Sequence, residues 1–262
     1  MFNKMTPLYF LSVFLFYVFS ISLPLTVFAS DLAKEKRWAE QISDSLLDGE
    51  AIELSNGVHE FLAIETQAEE AKDLAVIVLH GIGVHPDWPA VIQPLRVQLT
   101  EAGWNTLSLQ LPILKNEAES RDYESLMSEV PARIDAGIRH LAKQGSKKIA
   151  IVAHSMGARM ASYYLANKKI YQESLTETPI IVYIGIGMGG DDKNYLPKIK
   201  IPMLDVYGEN DLAEVLESAP DRAKMLQSNK AFKQIEVAKA NHFFDDQDEA
   251  LLKIVTETLS GY

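Results

Sequence analysis

Six short apolar segments, separated by helical patterns, constrain the fold of this chain most strongly. Several are apolar on both faces, as strands of a parallel sheet covered by helices on both sides must be. Strands that alternate with helices in this way predict an α/β fold with a doubly wound, mostly parallel sheet. The predicted strands are LAVIVLH (74–80), WNTLSLQLP (104–112), KKIAIVAH (147–154), PIIVYIGIG (179–187), IPMLDVYG (201–208) and FKQIEVAKA (232–240).

An antiparallel hairpin is predicted ahead of these strands. The segment AIELSNGVHEFLAIE (51–65) alternates apolar and polar residues around the dipeptide Asn56-Gly57. Asn-Gly between two alternating runs is the strongest short signal for a hairpin turn. The sheet is therefore expected to begin with an antiparallel pair.

Helical patterns occupy the remaining segments. Trp38, Ile42 and Leu46 lie four residues apart and predict an amphipathic helix within residues 30–48, which ends near Gly49. Further helices are expected at about 88–102, where Pro94 kinks the helix or marks its start, at about 123–144, and after Ser155, Asp211 and Asp246.

The first 29 residues have the layout of a secretory signal peptide. They contain Lys4, an apolar run from about Leu8 to Phe28, and small residues at the cleavage positions Val27 and Ala29. The alternative is an uncleaved membrane anchor, because the apolar run approaches the roughly 20 residues that span a bilayer. We therefore expect an exported protein, periplasmic or secreted, with a leading helix at 30–48 and a single domain at 49–262.

Composition excludes several classes of function. The formal net charge is −11, and it becomes −12 once the segment that carries Lys4 is removed. Such a charge repels nucleic acid and anionic lipid, so membrane contact is expected only if the N-terminal segment stays attached. The absence of cysteine excludes disulfides, thiolate metal sites, cysteine nucleophiles and lipid attachment at a signal-peptide cysteine.

The stretch IVAHSMGA (151–158) places Ser155 where a buried strand must reverse directly into a helix. A serine on so sharp a turn adopts strained backbone angles and projects its hydroxyl above the sheet. The residues two before and two after it must be small, because strand and helix nearly touch there. Ala153 and Gly157 meet that need, although an ordinary strand-to-helix turn remains an alternative for this motif taken alone.

This turn resembles the nucleophile elbow of the α/β-hydrolase superfamily, Gly-x-Ser-x-Gly, with Ala153 in place of the first glycine. In that superfamily the catalytic triad follows the chain order serine, acid, histidine. The resemblance implies Ser155 as nucleophile, Asp211 after VYGEN as acid and His242 after the last predicted strand as base.

Two points of this assignment stay open. Some members take the acid from the end of the preceding strand, where GMGGDDK offers Asp191 and Asp192, and Glu209 is also close to Asp211. His154 occupies the variable position beside the serine, where a side chain packs or lines the pocket rather than acting as base. The glycines of GIGMGG match no nucleotide-binding fingerprint in context and are interpreted as a close-packed strand exit.

The segment LHGIGVHPDWP follows the strand at 74–79, where the superfamily keeps a His-Gly motif. Gly81 would let the backbone approach the substrate closely. The resemblance implies that the backbone amides of Ile82 and Met156 form the oxyanion hole. His-Pro-Asp-Trp-Pro is also similar to a set of uncharacterised exported bacterial members of the superfamily, which implies no particular substrate.

Together these features predict an exported serine hydrolase that cleaves carboxylic esters or thioesters through an acyl-enzyme, with no metal or organic cofactor. In the superfamily the lid is inserted after the strand predicted here at 179–187. Only about 15 residues separate that strand from the next one, so we expect no large lid and a small or soluble substrate. The alternatives are an inactive scaffold or binding protein of the same fold, and an acyltransferase or peptidase that uses the same triad. The sequence leaves the oligomeric state undetermined.

Overall fold

The computed structural model describes residues 30–70, 73–171 and 179–262. The predicted signal peptide, residues 1–29, lies outside this range. The strands are β1 (Glu50–Ser55), β2 (Glu60–Thr66), β3 (Leu74–Leu79), β4 (Asn105–Leu109), β5 (Lys148–His154), β6 (Ile180–Ile186), β7 (Met203–Asn210) and β8 (Phe232–Asn241). The α-helices are α1 (Leu32–Ser45), α2 (Ile92–Gln98), α3 (Val130–Lys143), α4 (Met156–Tyr171), α5 (Ala213–Leu226) and α6 (Asp248–Leu259).

The eight strands form one sheet in the order β1-β2-β4-β3-β5-β6-β7-β8. β2 pairs antiparallel with both β1 and β4, and the other neighbouring strands pair in parallel. At the hairpin, the side-chain oxygen of Asn56 accepts from the amides of Val58 and His59, and Gly57 has φ +91°. The predicted hairpin and the mostly parallel sheet behind it are confirmed.

Both faces of the sheet are buried, as the apolar strands predicted. In β3, Ala75, Ile77 and Leu79 contribute to one core and Val76 and Val78 to the other. The first core is covered by α3 and α4, and the second by α2 and α6. Alternate residues of a strand point to opposite faces, so an apolar side chain at every position requires a helix layer on each side.

The helix α1 packs against β2 at the edge of the sheet. Ile42 forms a small core with Leu62 and Ile64, against which Trp38 and Leu46 also pack. At the start of α1 the Asp31 side chain accepts from the amide of Lys34, a typical N-cap. The apolar stripe read from the sequence is the face that contacts the sheet.

The helix predicted over 88–102 differs in detail. It begins at Ile92, after Val91 with φ +64°, and residues 99–102 continue it as a 3₁₀ turn. Pro94 lies in the first turn of α2, where a missing amide removes no intrahelical hydrogen bond, so the proline marks the start rather than a kink. The helix predicted over 123–144 is similarly divided, with a 3₁₀ segment at Ser120–Glu129 ahead of α3.

Within the described ranges, helices that combine the length and the apolar character of a bilayer span are absent.

Candidate active site

Ser155 lies on the turn between β5 and α4, near the middle of the sheet. Its φ is +55°, the left-handed conformation that costs a non-glycine residue about 1–3 kcal/mol. Three backbone hydrogen bonds hold the turn: the Ser155 amide donates to the carbonyl of Ile186 at 2.8 Å, and the Ser155 carbonyl accepts from the amides of Ala158 at 2.9 Å and Arg159 at 3.3 Å. Contacts on both sides of the serine therefore stabilise this strained backbone conformation.

The small residues around the serine are required by close backbone packing. A Cβ added to Gly157 would lie 2.4 Å from the carbonyl oxygen of His80, a distance that no side chain tolerates. Ala153, two residues before the serine, is almost completely buried. The turn therefore accepts glycine alone at position 157 and leaves Ala153 little room to enlarge.

The structure brings Ser155, His242 and Asp211 together from the ends of β5, β8 and β7. His242 Nε2 lies 3.0 Å from Ser155 Oγ, and His242 Nδ1 lies 2.6 Å from Asp211 Oδ1. Both the His242 and the Asp211 side chains are more than nine-tenths buried. The carboxylate holds the proton on Nδ1, so the lone pair of Nε2 faces the serine hydroxyl.

Asp211 is held in its ionised form by three hydrogen-bond donors. Burial alone would raise the pKa of this carboxyl, but the bond from His242 and the backbone amides of Gly208 and Leu212 outweigh it, and the pKa lies below its ordinary value. The two amides lie 3.1 and 2.8 Å from the carboxylate oxygens. An ionised Asp211 can offset the positive charge that His242 acquires when it accepts a proton.

The loop after β3 approaches the serine from the other side. A Cβ on Gly81 would lie only 3.1 Å from the Cβ of Ser155. Ile82 and Met156 both line the cavity that contains Ser155. Met156 is the first residue of α4, so its amide belongs to the helix N-terminus, where amides lack intrahelical partners.

His80, which the sequence reasoning did not single out, fixes the orientation of this loop. Its Nε2 accepts from the amide of Leu111 at 3.0 Å, so the proton lies on Nδ1, which donates to the Gly81 carbonyl at 2.9 Å. Burial lowers the pKa of His80 to about 3, so the ring is neutral. In a trans peptide the carbonyl and the amide point in opposite directions, so the Ile82 amide is directed away from His80.

The other acids that the sequence left open are placed differently. Glu209 accepts from the amide of Lys239 at 2.7 Å. Asp192 is buried in the wall of the cavity beside Ser155 and interacts with Ser162, and the described hydrogen bond of a carboxylate to His242 comes from Asp211 instead. The side chain of Asp191 lies outside the described residues. Among the described carboxylates, the one in contact with His242 is Asp211.

Two further residues contact His242, and the sequence analysis predicted neither contact. A Cβ on Gly187, which has φ +61°, would lie 2.9 Å from Cε1 of His242. His154 Nε2 lies 2.9 Å from the backbone carbonyl of His242. The glycines of GIGMGG indicated close packing at this point, but not which side chain packs there. No local signal links residue 154 to a loop almost ninety residues later.

A cavity of about 600 Å³ opens beside Ser155. Its lining contains both apolar and charged side chains. The apolar ones include residues adjacent in sequence to Ser155, Asp211, His242 and Gly81, namely Met156, Leu212, Phe243 and Ile82. The charged ones include residues from α4, α5 and the turn at 190–194, namely Arg159, Lys193, Glu214, Glu217 and Asp221.

His85, which the sequence places in the loop after Gly83, is not among the residues that line this cavity. Its ring packs between Trp38 and Trp88, with ring centroids 5.4 Å apart in each case. The loop after β3 is thereby joined to α1.

Comparison with solved structures shows the fold. A dienelactone hydrolase from Anabaena variabilis is 22% identical, with a TM-score of 0.66 over 82% of this chain and 98% of that one. A Xanthomonas campestris protein described as an α/β serine hydrolase without lid is 15% identical, with a TM-score of 0.64 over 82% and 95%. An esterase from Pyrococcus furiosus is 18% identical, with a TM-score of 0.65 over 84% and 95%.

At these identities the likeness establishes the α/β-hydrolase fold rather than a substrate. No curated protein matched the chain. A family model described as a protein of unknown function, DUF3530, matches residues 29–132 and 114–256 and so covers most of the sequence. The chain therefore belongs to the DUF3530 family, whose fold here is that of the α/β-hydrolase superfamily.

Proposed function

We propose that this protein is a serine hydrolase that cleaves carboxylic esters or thioesters of small or soluble substrates. The observation that carries the proposal is the continuous hydrogen-bonded series from Ser155 Oγ through His242 to Asp211, with distances of 3.0 and 2.6 Å. A nucleophile in reach of a base, with the base oriented by a third group, is the arrangement that activates a serine.

The reaction follows from the protonation states. Ser155 Oγ attacks the substrate carbonyl while His242 Nε2 accepts the hydroxyl proton, which gives a tetrahedral oxyanion. His242 then returns that proton to the departing alcohol or thiol, and an acyl-enzyme remains. Water attacks the acyl-enzyme with His242 again as base, which releases the acid and restores the Ser155 hydroxyl. Throughout, the Asp211 carboxylate stabilises the imidazolium.

The oxyanion is proposed to bind between the amides of Ile82 and Met156. One belongs to the peptide that His80 orients and the other to the N-terminus of α4, and both residues line the cavity beside Ser155. A single donor of this kind typically lowers the barrier by about 2.7–4 kcal/mol.

The cavity supports a substrate with a short apolar part and a polar part. Leu212 and Phe243 are 48% and 36% exposed at its rim, although both are large apolar side chains, so an acyl group would find an apolar surface next to the serine. Glu214, Glu217 and Asp221 recur on one face of α5 and add negative charge to the lining of the cavity. Residues 187–202 connect β6 to β7 through two short 3₁₀ turns, which are too small to cover the cavity as a lid.

The similar structures support the same reaction class. Their descriptions include a dienelactone hydrolase, esterases, and an α/β serine hydrolase without lid. We further propose that the protein is exported, on the basis of the cation and the apolar run within residues 1–29. Cell fractionation with N-terminal sequencing of the mature chain tests export, and a retained residue 1 in the membrane fraction would instead indicate an anchor.

A fluorophosphonate probe tests the proposed hydrolase directly. Ser155 Oγ should displace fluoride from phosphorus and form a stable phosphonyl ester. We expect labelling of the wild type and none of Ser155→Ala, together with loss of hydrolysis of a short chromogenic ester. Ser120→Ala is the matched control, since Ser120 lines the same cavity, while the described serine bonded to His242 Nε2 is Ser155. A folded wild type that neither reacts nor hydrolyses any ester in a panel of acyl lengths would favour a non-catalytic scaffold.

A further inference from the structure

His154 is the last residue of β5 and precedes the proposed nucleophile. Only 2% of its surface is exposed. Its Nε2 lies 2.9 Å from the backbone carbonyl oxygen of His242. A carbonyl oxygen can only accept a hydrogen bond, so Nε2 carries the proton and the ring is the neutral Nε2–H tautomer.

This hydrogen bond joins the ends of β5 and β8, two strands that are not neighbours in the sheet. β6 and β7 lie between β5 and β8, so the two strands are about 14 Å apart at the usual strand spacing. β8 is an edge strand that pairs with β7 alone. The loop that carries His242 must therefore cross the ends of two strands to reach Ser155.

Few hydrogen bonds join that loop to the turn that carries Ser155. Phe244 and Asp246 have φ of +56° and +60°, so the loop turns sharply just after the base. Among the described residues, the hydrogen bonds between residues 153–157 and residues 240–246 are two: His154 to the His242 carbonyl, and His242 Nε2 to Ser155 Oγ. The first of these does not involve a reacting atom, so it can hold the second in register.

The His154 ring is neutral, so it can lie beside His242 when His242 accepts a proton. The two imidazole rings lie 4.8 Å apart between centroids, and Asp211 and His80 are the other titratable groups near His154. Burial first, and then the positive charge on His242, lower the pKa of His154 to about 4. A neutral ring therefore faces the base while the base becomes an imidazolium.

We propose that His154 is a positioning residue, which fastens the loop of the base His242 to the nucleophile turn through its Nε2–H hydrogen bond to the His242 carbonyl. The proposal rests on the proposed function, because the geometry that it maintains is the Ser155 to His242 contact.

Two substitutions with opposite expectations test the role. His154→Phe keeps an aromatic ring but has no donor, and it leaves the His242 carbonyl without its partner. We expect kcat for a chromogenic ester to fall by about ten- to thirtyfold with KM changed by less than about twofold, since the loss of one buried hydrogen bond misplaces the base. His154→Gln keeps an N–H donor, and we expect it to recover kcat to within about threefold of the wild type. The reverse order, with Phe active and Gln impaired, would show that the ring acts by packing and would overturn the proposal.

Nuclear magnetic resonance gives a second readout that needs no turnover. In the wild type we expect the ¹⁵N pattern of a neutral Nε2–H tautomer at His154 from pH 8 to pH 5. The downfield proton of the His242 to Asp211 hydrogen bond should persist in His154→Gln and broaden or vanish in His154→Phe. A proton on Nδ1 of His154, or an unchanged downfield signal in a folded His154→Phe, would overturn the proposal.

The two proposals fail separately. A wild type with no esterase activity but with the expected resonance pattern would contradict the hydrolase function and leave the coupling of the two loops established. An active wild type in which His154 carries its proton on Nδ1 would support the hydrolase function and contradict the positioning role of His154. If thermal unfolding shows that His154→Phe does not fold, the tautomer of His154 in the wild type and the kinetics of His154→Gln still test the positioning role.

Discussion

Asp192 and Asp211 follow neighbouring strands of the sheet, and both are buried, yet their surroundings are opposite. Asp211 receives hydrogen bonds from His242, Gly208 and Leu212, and its pKa lies below the ordinary value. Asp192 has an oxygen, Oδ1, without a hydrogen-bond partner among the described residues, and burial raises its pKa to about 7 despite Ser162, Arg159 and Arg222 nearby. Donors, rather than burial, decide which carboxylate can serve a charged base.

The largest expected effect comes from removing the charge of Asp211. Asp211→Asn retains the shape but permits the wrong imidazole tautomer and leaves the imidazolium uncompensated, so kcat for a chromogenic ester should fall by about ten-thousandfold. Asp192→Asn is the matched variant one strand away, and it should lower kcat by less than about tenfold. Equal losses in the two variants would mean that the acid was assigned to the wrong strand.

Asp192→Asn should instead change stability. Between about pH 4 and pH 7 the unfolded chain has lost the Asp192 proton while the folded chain keeps it, so wild-type stability falls as the pH rises through that window. At pH 8 the amide should make the free energy of unfolding larger than that of the wild type by up to about 4 kcal/mol. Urea unfolding at pH 5 and pH 8 measures this, and a variant that is no more stable at pH 8 would contradict the prediction.

Gly187 directly follows β6, five residues before Asp192, and packs against the ring of His242. A Cβ there would approach the His242 ring to 2.9 Å, so Gly187→Ala should displace the imidazole and lower kcat by about ten- to a hundredfold. Gly145→Ala is the control for backbone strain alone: its φ is +96°, but no described atom lies within 4 Å of the added Cβ. The left-handed backbone should cost each variant about 1–2 kcal/mol of stability, and similar kcat values in the two variants would argue against the contact with His242.

The smallest expected effect is on stability at low pH, where the contribution of Asp211 changes with pH in the opposite direction to that of Asp192. Because the pKa of Asp211 is lowered on folding, its stabilisation is complete above about pH 4 and is lost as the pH falls through the folded value. The difference in unfolding free energy between the wild type and Asp211→Asn should therefore shrink as the pH falls below about pH 4. A difference that shrinks already near pH 6 would place the pKa of Asp211 above its ordinary value instead.

Much of the fold could be predicted because its signals are local. Alternation around Asn56 predicted the hairpin, and the apolar runs predicted all six later strands within a few residues. Two details were harder to predict: the division of the helix expected over 123–144 into a 3₁₀ segment and α3, and the start of α2 at Ile92. A 3₁₀ turn and an α-helix have nearly the same apolar spacing, so the sequence does not distinguish them.

The amino-acid sequence by itself determined the strand order of appearance, the strained serine turn with its small neighbours, and a short set of candidate acids. These depend on backbone sterics and on the burial of neighbouring residues, which a few consecutive residues encode. Only the tertiary structure decided that Asp211 rather than Asp192 meets His242, and that His154 donates to the loop of the base. Hydrogen-bond partners for these groups come from segments thirty to almost ninety residues apart, so their geometry exists only once the sheet has formed.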